Sequence, residues 1–166
     1  MKHPFQKLTT PFEGDLHGWE TCYPRPQMAR DSFFSLCGKW ELSAVKNRSE
    51  TPVGEILVPF PPDSRLSGIE STLKKGERWR YRKAFTLPAD FCKARTLLHF
   101  GAVDQVAEVT LNGVSLGIHE GGYLPFSFDV TSALLEGENT LTVIVTDDLD
   151  TSLPYGKQRT KRGGMW

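Results

Sequence analysis

Cysteine is scarce in this chain of 166 residues: there are three, Cys22, Cys37 and Cys92, with no C-x-x-C pair and no histidine at zinc-ligand spacing. Such a sparse, odd set excludes a disulfide-stapled scaffold and a zinc ribbon, and it fits a reducing compartment, so a cytoplasmic location is expected. No run approaches the ~20 apolar residues of a membrane span, and the segment from Met1 to Lys7 lacks the apolar centre of a leader peptide. No membrane partner is therefore expected. Neither sign of charge is in excess, since Lys plus Arg and Asp plus Glu each total 20 and the formal net charge is zero. Nothing in that balance recruits a phosphate backbone, and nucleic acid is excluded as a partner. Helical patterning is missing too: no segment of ten or more residues carries a convincing 3.6-residue period. The chain is also too short for a (β/α)₈ barrel, which takes roughly 250 residues, or for two domains flanking a catalytic cleft.

What is present is globular composition and abundant turn chemistry. With 39% hydrophobic and 24% charged residues the chain folds by burial, and 15 glycines with 11 prolines favour many short elements joined by tight turns. The first 37 residues, with Pro4, Pro11, Pro24 and Pro26 and no sustained period, are expected to form an extended arm laid over the domain surface and anchored by Trp19, Tyr23, Phe33 and Phe34. From Gly38 onward a period of two takes over. Trp40, Leu42 and Ala44 alternate with Lys39, Glu41 and Ser43, a short run covers Glu55 to Pro59, and Pro59, Pro61 and Pro62 open a loop lasting to about Gly76. Trp79, Tyr81, Phe85 and Leu87 then share a face opposite Arg78, Arg80, Arg82 and Thr86, with Lys83 breaching the apolar side.

Further alternating runs cover 95–100, 106–111, 114–118, 126–130 and 140–146, giving seven or eight strands. Asn112-Gly113 between two of them accepts positive φ at both central positions of a type I′ hairpin turn. Single helical turns at most fit Leu73 to Glu77 or Ser132 to Leu135. Many short strands, each with one face to bury, make an all-β antiparallel sandwich or jelly roll the expected fold, over residues 38–166.

An ordered series of strings resembles the N-terminal sugar-binding domain of glycoside hydrolase family 2, the family of β-galactosidases, β-glucuronidases and β-mannosidases. The series runs Tyr23-Pro24-Arg25-Pro26, Gly38-Lys39-Trp40, Val58-Pro59-Phe60, Trp79-Arg80-Tyr81-Arg82-Lys83-Ala84-Phe85 and Phe100-Gly101-Ala102-Val103-Asp104. It continues with Leu111-Asn112-Gly113, His119-Glu120-Gly121-Gly122-Tyr123-Leu124-Pro125-Phe126, Gly156-Lys157-Gln158 and Gly163-Gly164-Met165-Trp166. The resemblance implies a galactose-binding-domain-like jelly roll that, in the full enzyme, precedes an immunoglobulin-like domain and a catalytic barrel. It also implies that a further strand follows Trp166. As the sequence ends there, the expectation is a sandwich lacking its last strand, with an open sheet edge through which the chain self-associates.

The chemistry-bearing groups each have a functional and a structural reading. Retaining glycoside hydrolysis needs two carboxyl groups about 5 Å apart in a pocket. No acid here lies in a glycosidase-like motif, so no catalytic residue is assigned and the chain alone is expected to be inactive. His119-Glu120 followed by Gly121-Gly122-Tyr123 reads either as a proton-transfer pair beside an aromatic sugar platform or as a glycine corner that returns Tyr123 and Phe126 to the core, and the corner is favoured. Asp147, Asp148 and Asp150 read as oxygen ligands for a hard cation or as a solvated strand end; the strand end is favoured, and no metal or cofactor is expected. The alternating Arg78, Arg80 and Arg82 either steer an acidic group or line a solvated face. Lys157, Gln158, Arg159, Lys161 and Arg162 form a basic tract without an aromatic ladder, and in the family this loop faces the other domains. Gly163-Gly164 occupy the positions where some members place a sugar-facing acid, so none is carried over. Asp147, Asp148, Lys157, Gln158 and Trp166 are the expected contacts with carbohydrate or with neighbouring domains. A non-catalytic, weakly sugar-binding domain that supports a barrel and borders its pocket is the leading expectation, and a free-standing carbohydrate-binding module the alternative.

Overall fold

The structure, a computed structural model, describes residues 32–73 and 76–147. The chain divides into two units, Met1–Leu36 and Cys37–Trp166, and the elements below belong to the second. The expected contacts Asp148, Lys157, Gln158 and Trp166, and nearly all of the expected arm, lie outside the described residues.

Among the described residues eight strands form, every pairing antiparallel: β1 (Gly38–Lys46), β2 (Ser49–Val58), β3 (Arg78–Thr86), β4 (Leu97–Phe100), β5 (Val106–Leu111), β6 (Val114–Glu120), β7 (Phe126–Asp129) and β8 (Glu138–Thr146). Six of them build one sheet in the order β2-β1-β3-β8-β5-β6, and β4 pairs with β7 in a second. The reason lies in the period-two pattern. Along β8, Leu141, Val143 and Val145 are buried while Thr140, Thr142 and Thr146 are only partly so. On β5, Ala107, Val109 and Leu111 repeat the alternation, and the register sets Val109 opposite Val143 and Leu111 opposite Leu141. Trp40 and Leu42 from β1, Ile56 from β2 and Trp79 from β3 complete one apolar face. Each buried aliphatic side chain contributes roughly 1.5–3 kcal/mol, so this face supplies most of what holds the domain together.

Lys83 does not break that face. Its Nζ stands 5.8 Å from the Trp40 ring centroid, and the ammonium donates to the Lys39 carbonyl at 2.9 Å, so the charge is satisfied at the edge of the aromatic. Largely buried Tyr81 stands edge-on to Trp40 at 6.5 Å, and burial, reinforced by the charge of Asp63, pushes its hydroxyl well above the ordinary tyrosine range.

β2 begins at Ser49, six residues before the apolar run that announced it. Ser49 to Gly54 are all exposed and held by backbone pairing to β1, so no alternation marks them, and Pro52 is tolerated because β2 is the outermost strand. The proline loop after it contains a 3₁₀ turn, Arg65–Ser67, capped by Ser64. Buried Ser67 donates its hydroxyl to the Ser64 carbonyl at 2.7 Å and accepts from the Ile69 N–H at 3.0 Å, so the loop satisfies itself. Among the described residues two peptide bonds are cis, Val58–Pro59 and Asp104–Gln105.

The β5–β6 hairpin turns at Asn112 (φ 51°) and Gly113 (φ 81°), the expected type I′ geometry. Asn112 also serves beyond the turn. Its Oδ1 accepts from the Thr140 N–H at 2.8 Å, and its Nδ2 donates to the Ala133 carbonyl at 2.8 Å and to Asn139 Oδ1 at 2.7 Å. Asn139, fully buried, accepts from the Leu135 N–H and donates to the carbonyls of Leu135 and Gly137. Two side-chain amides thereby lock the hairpin, the loop before β8 and the first residues of β8 into one joint. The turn predicted at Ser132 to Leu135 is a single one, with the Leu134 N–H donating to the Val130 carbonyl at 3.1 Å.

Candidate functional site

Three places concentrate chemistry. The first lies where β8 ends. Asp147 lines a cavity of about 20 Å³ with Pro62, Asp63, Ser71, Thr72, Leu73 and Trp79. That volume holds one water, whereas ligand pockets run to roughly 300 Å³ and more. Two carboxylates therefore share a wall, yet the space between the walls admits no pyranose ring.

The second is the corner between β6 and β7. The His119 ring stacks on Phe126 at 3.9 Å, Phe126 stacks on Phe100 at 4.7 Å, and Phe128 meets Phe126 edge-on at 5.7 Å. His119 Nε2 lies 3.1 Å from the Gly121 carbonyl, which can only accept, so that nitrogen carries the proton. The ring acts as a wedge between sheets, in agreement with the structural reading of His119-Glu120. Gly121 (φ 112°) supplies the corner, and its N–H donates to the Gln105 carbonyl at 2.8 Å. Tyr123 departs from expectation: it is 84% exposed, because the corner turns outward before Phe126 re-enters.

Beneath the corner sits Asp104, which the sequence singled out only as part of a string. Its Cγ lies 2.6 Å from where a Cβ on Gly122 would stand, so only glycine leaves room for the carboxyl. The group is half-buried, and that burial raises its pKa above the ordinary carboxylate range. The paired glycines were legible as a corner; that the second makes space for an acid eighteen residues earlier was not.

The third place is the outer face of the large sheet, a depression of about 480 Å³ lined by residues including Val45, Glu50, Arg80, Arg82, Thr142 and Ile144. Each arginine of β3 meets a carboxylate from another strand: Arg78 meets Glu108 at 2.9 Å, Arg82 meets Glu41 at 2.9 Å, and Arg80 pairs with Glu50. These partners neutralise the stripe, which favours a solvated face over an acid-steering one. Of the expected contact residues only Asp147 is among those described, and no group of three or more His, Cys, Asp or Glu there could hold a metal ion.

Two antiparallel sheets around one apolar core define a β-sandwich of the galactose-binding-like class. The chain belongs to the galactose-binding-like domains of glycoside hydrolase family 2, whose sequence profile matches residues 62–164. A β-glucuronidase of Paenibacillus borealis is 36% identical over 150 residues, which are 83% of this chain and 25% of that protein. A β-galactosidase of Aeromonas hydrophila is 31% identical over 135 residues, covering 78% of this chain and 13% of that protein. Among solved structures, the β-glucuronidase of Bifidobacterium dentium complexed with coumarin-3-O-glucuronide matches with a TM-score of 0.60 at 31% identity, covering 75% of this chain and 22% of that one. The chain thus spans a quarter or less of the length of these relatives.

Proposed function

We propose that the chain is the non-catalytic sugar-binding and structural domain of a larger family 2 β-glycosidase, buttressing a catalytic barrel and bordering its substrate pocket. The observation that carries this reading is the pairing of family membership with coverage: most of this chain aligns with a quarter or less of enzymes named β-glucuronidase and β-galactosidase. The geometry agrees with it, since the carboxylate-lined cavity at Asp63 and Asp147 has room for one water only. Contact with the sugar or with the immunoglobulin-like and barrel domains is assigned to the segment leaving β8, through Asp147, Asp148, Lys157, Gln158 and Trp166. A free-standing carbohydrate-binding module is less well supported. Such a module stacks sugars on coplanar exposed aromatics, whereas Trp40 and Trp79 are buried and Tyr123 is the one aromatic among the exposed large apolar residues of the described part.

The test is hydrolysis of nitrophenyl β-glucuronide, β-galactoside and β-mannoside by the chain alone. No turnover above buffer is expected. Turnover that follows the folded protein, and is abolished by substituting one Asp or Glu, overturns the proposal.

A further inference from the structure

Asp104 is an acid in an enclosed place without a donor. Among the described residues it makes no hydrogen bond and no ion pair, whereas Glu41, Glu50, Glu55, Glu108 and Asp129 each meet a lysine or an arginine. Its carboxyl lies half-buried against the backbone of Gly122, in space that a Cβ there would fill. A neutral carboxyl loses little in such a cradle. An ionised one gives up water and gains no partner, which is why burial raises its pKa. The cover over it is thin. The Gly121 N–H ties the corner to the Gln105 carbonyl at 2.8 Å, and His119 Nε2 braces the Gly121 carbonyl at 3.1 Å. Gly121, Tyr123, Leu124 and Pro125 are all exposed, so lifting the corner uncovers little apolar surface, and segments of that kind open locally at low cost.

We propose that Asp104 is a proton-operated latch on the corner between β6 and β7, closed while its carboxyl is neutral and loosened when it ionises. The reason is linkage. Opening returns the carboxylate to water, so the cost that burial imposes on the ionised form is recovered only in the open state. An acid raised in the closed state favours closure below its ordinary pKa and loses that contribution as the pH rises through the raised one. The other titratable groups at this end do not reproduce the response. His119 keeps the proton on Nε2 in both charge states, so its bond to Gly121 survives titration. Glu120 and Tyr123 are exposed. Asp147 follows Thr146, whose carbonyl takes the Gln105 N–H at 3.2 Å, and being like-charged it acts in the same direction as burial. What the latch governs is the presentation of Tyr123 and Leu124, the side chains that the corner turns outward. The inference requires no sugar and stands or falls independently of the proposed function.

The test follows the Asp104 carboxyl by carbon-13 NMR, and amide exchange at Gly121 and Gln105, on the full chain from about pH 4 to about pH 7, where the contribution of Asp129 is already complete. The carboxyl should titrate above 3.8. The protection factor of Gly121 should fall several-fold over the range in which Asp104 ionises and then level off, while the amides of β1 and β2 keep theirs. Asp104→Asn, close in shape and never ionised, should abolish the fall, and Glu120→Gln should leave it in place. A carboxyl that titrates at or below its ordinary value overturns the proposal, the result expected if a donor from outside the described residues reaches it. So does protection that is indifferent to the titration, or a fall that survives Asp104→Asn. If that variant does not fold, the match between the two pH ranges in the unsubstituted chain decides alone.

Discussion

The two outer strands of the large sheet reach their places by different physics. β2 is exposed over most of its length and is held by backbone pairing to β1, by surface ion pairs and by the loop behind it, whose Ile69 side chain approaches Gly54. β6 is held from the inside: a type I′ turn fixes its start, the amides of Asn112 and Asn139 fasten that turn to β8, and Phe128 and Phe126 press on Gly117 and His119. Substitutions that loosen β6 should therefore cost several times more than those around β2, because removing buried groups leaves unsatisfied atoms or clashes, and removing surface charges does not.

The largest effect is expected at Asn139. Replacing it with alanine orphans the Leu135 N–H and carbonyl, the Gly137 carbonyl and the Asn112 amide, at a cost of about 3 kcal/mol in denaturant unfolding. Exchange on β6 should rise more than on β2, and the reverse order would break the comparison. Gly117→Ala comes next. Its φ of 140° suits glycine alone, and the new methyl would stand 3.0 Å from Phe128, so about 2 kcal/mol is expected from strain and crowding. Asn112→Gly keeps the positive φ but removes three side-chain bonds, separating turn from tie, and about 1 kcal/mol should be lost. A loss near zero would mean that the turn alone secures β6. On the other edge, Glu50→Gln should change stability by no more than about 0.5 kcal/mol, as measured in the same denaturant titration.

The smallest effect belongs to β7, which backs the inner side of β6. The hydroxyl and N–H of Thr131, and then Arg95, donate to Asp129 and bring its pKa down from 3.8 to about 2. A depressed acid stabilises the fold above its unfolded pKa, so this contribution is complete above pH 4 and is lost as pH falls toward 2. Thermal scans across that window should show Asp129→Asn flattening the decline, and an unchanged decline would remove Asp129 from the account.

How much of this was legible in the sequence follows from what each element rests on. β8, β5 and the Asn112-Gly113 turn could be read because burial on one face writes a period of two and a I′ turn demands particular residues. The first half of β2 could not, since it is held by backbone bonds that are indifferent to side chains. The corner after β6 was legible in part: two glycines announced it, but the outward turn of Tyr123 and the space Gly122 leaves for Asp104 depend on chain segments distant in sequence. The same limit applies to the joint. Asn112 was read for its φ, while its bonds to Ala133 and Asn139 arise only once three loops meet. The fold thus follows from local periodicity, and the features that position its surfaces follow from long-range packing.

The central claim is that this domain's sugar contacts are completed by other parts of a larger enzyme. Calorimetric titration of the chain with glucuronate, galactose and short β-linked glycans tests it most directly. A platform that lacks its partner domain retains few contacts to offset association entropy, so binding should be millimolar or weaker, roughly −4 kcal/mol at best. Micromolar affinity for any of these sugars would contradict the account and identify the chain as a carbohydrate-binding module in its own right.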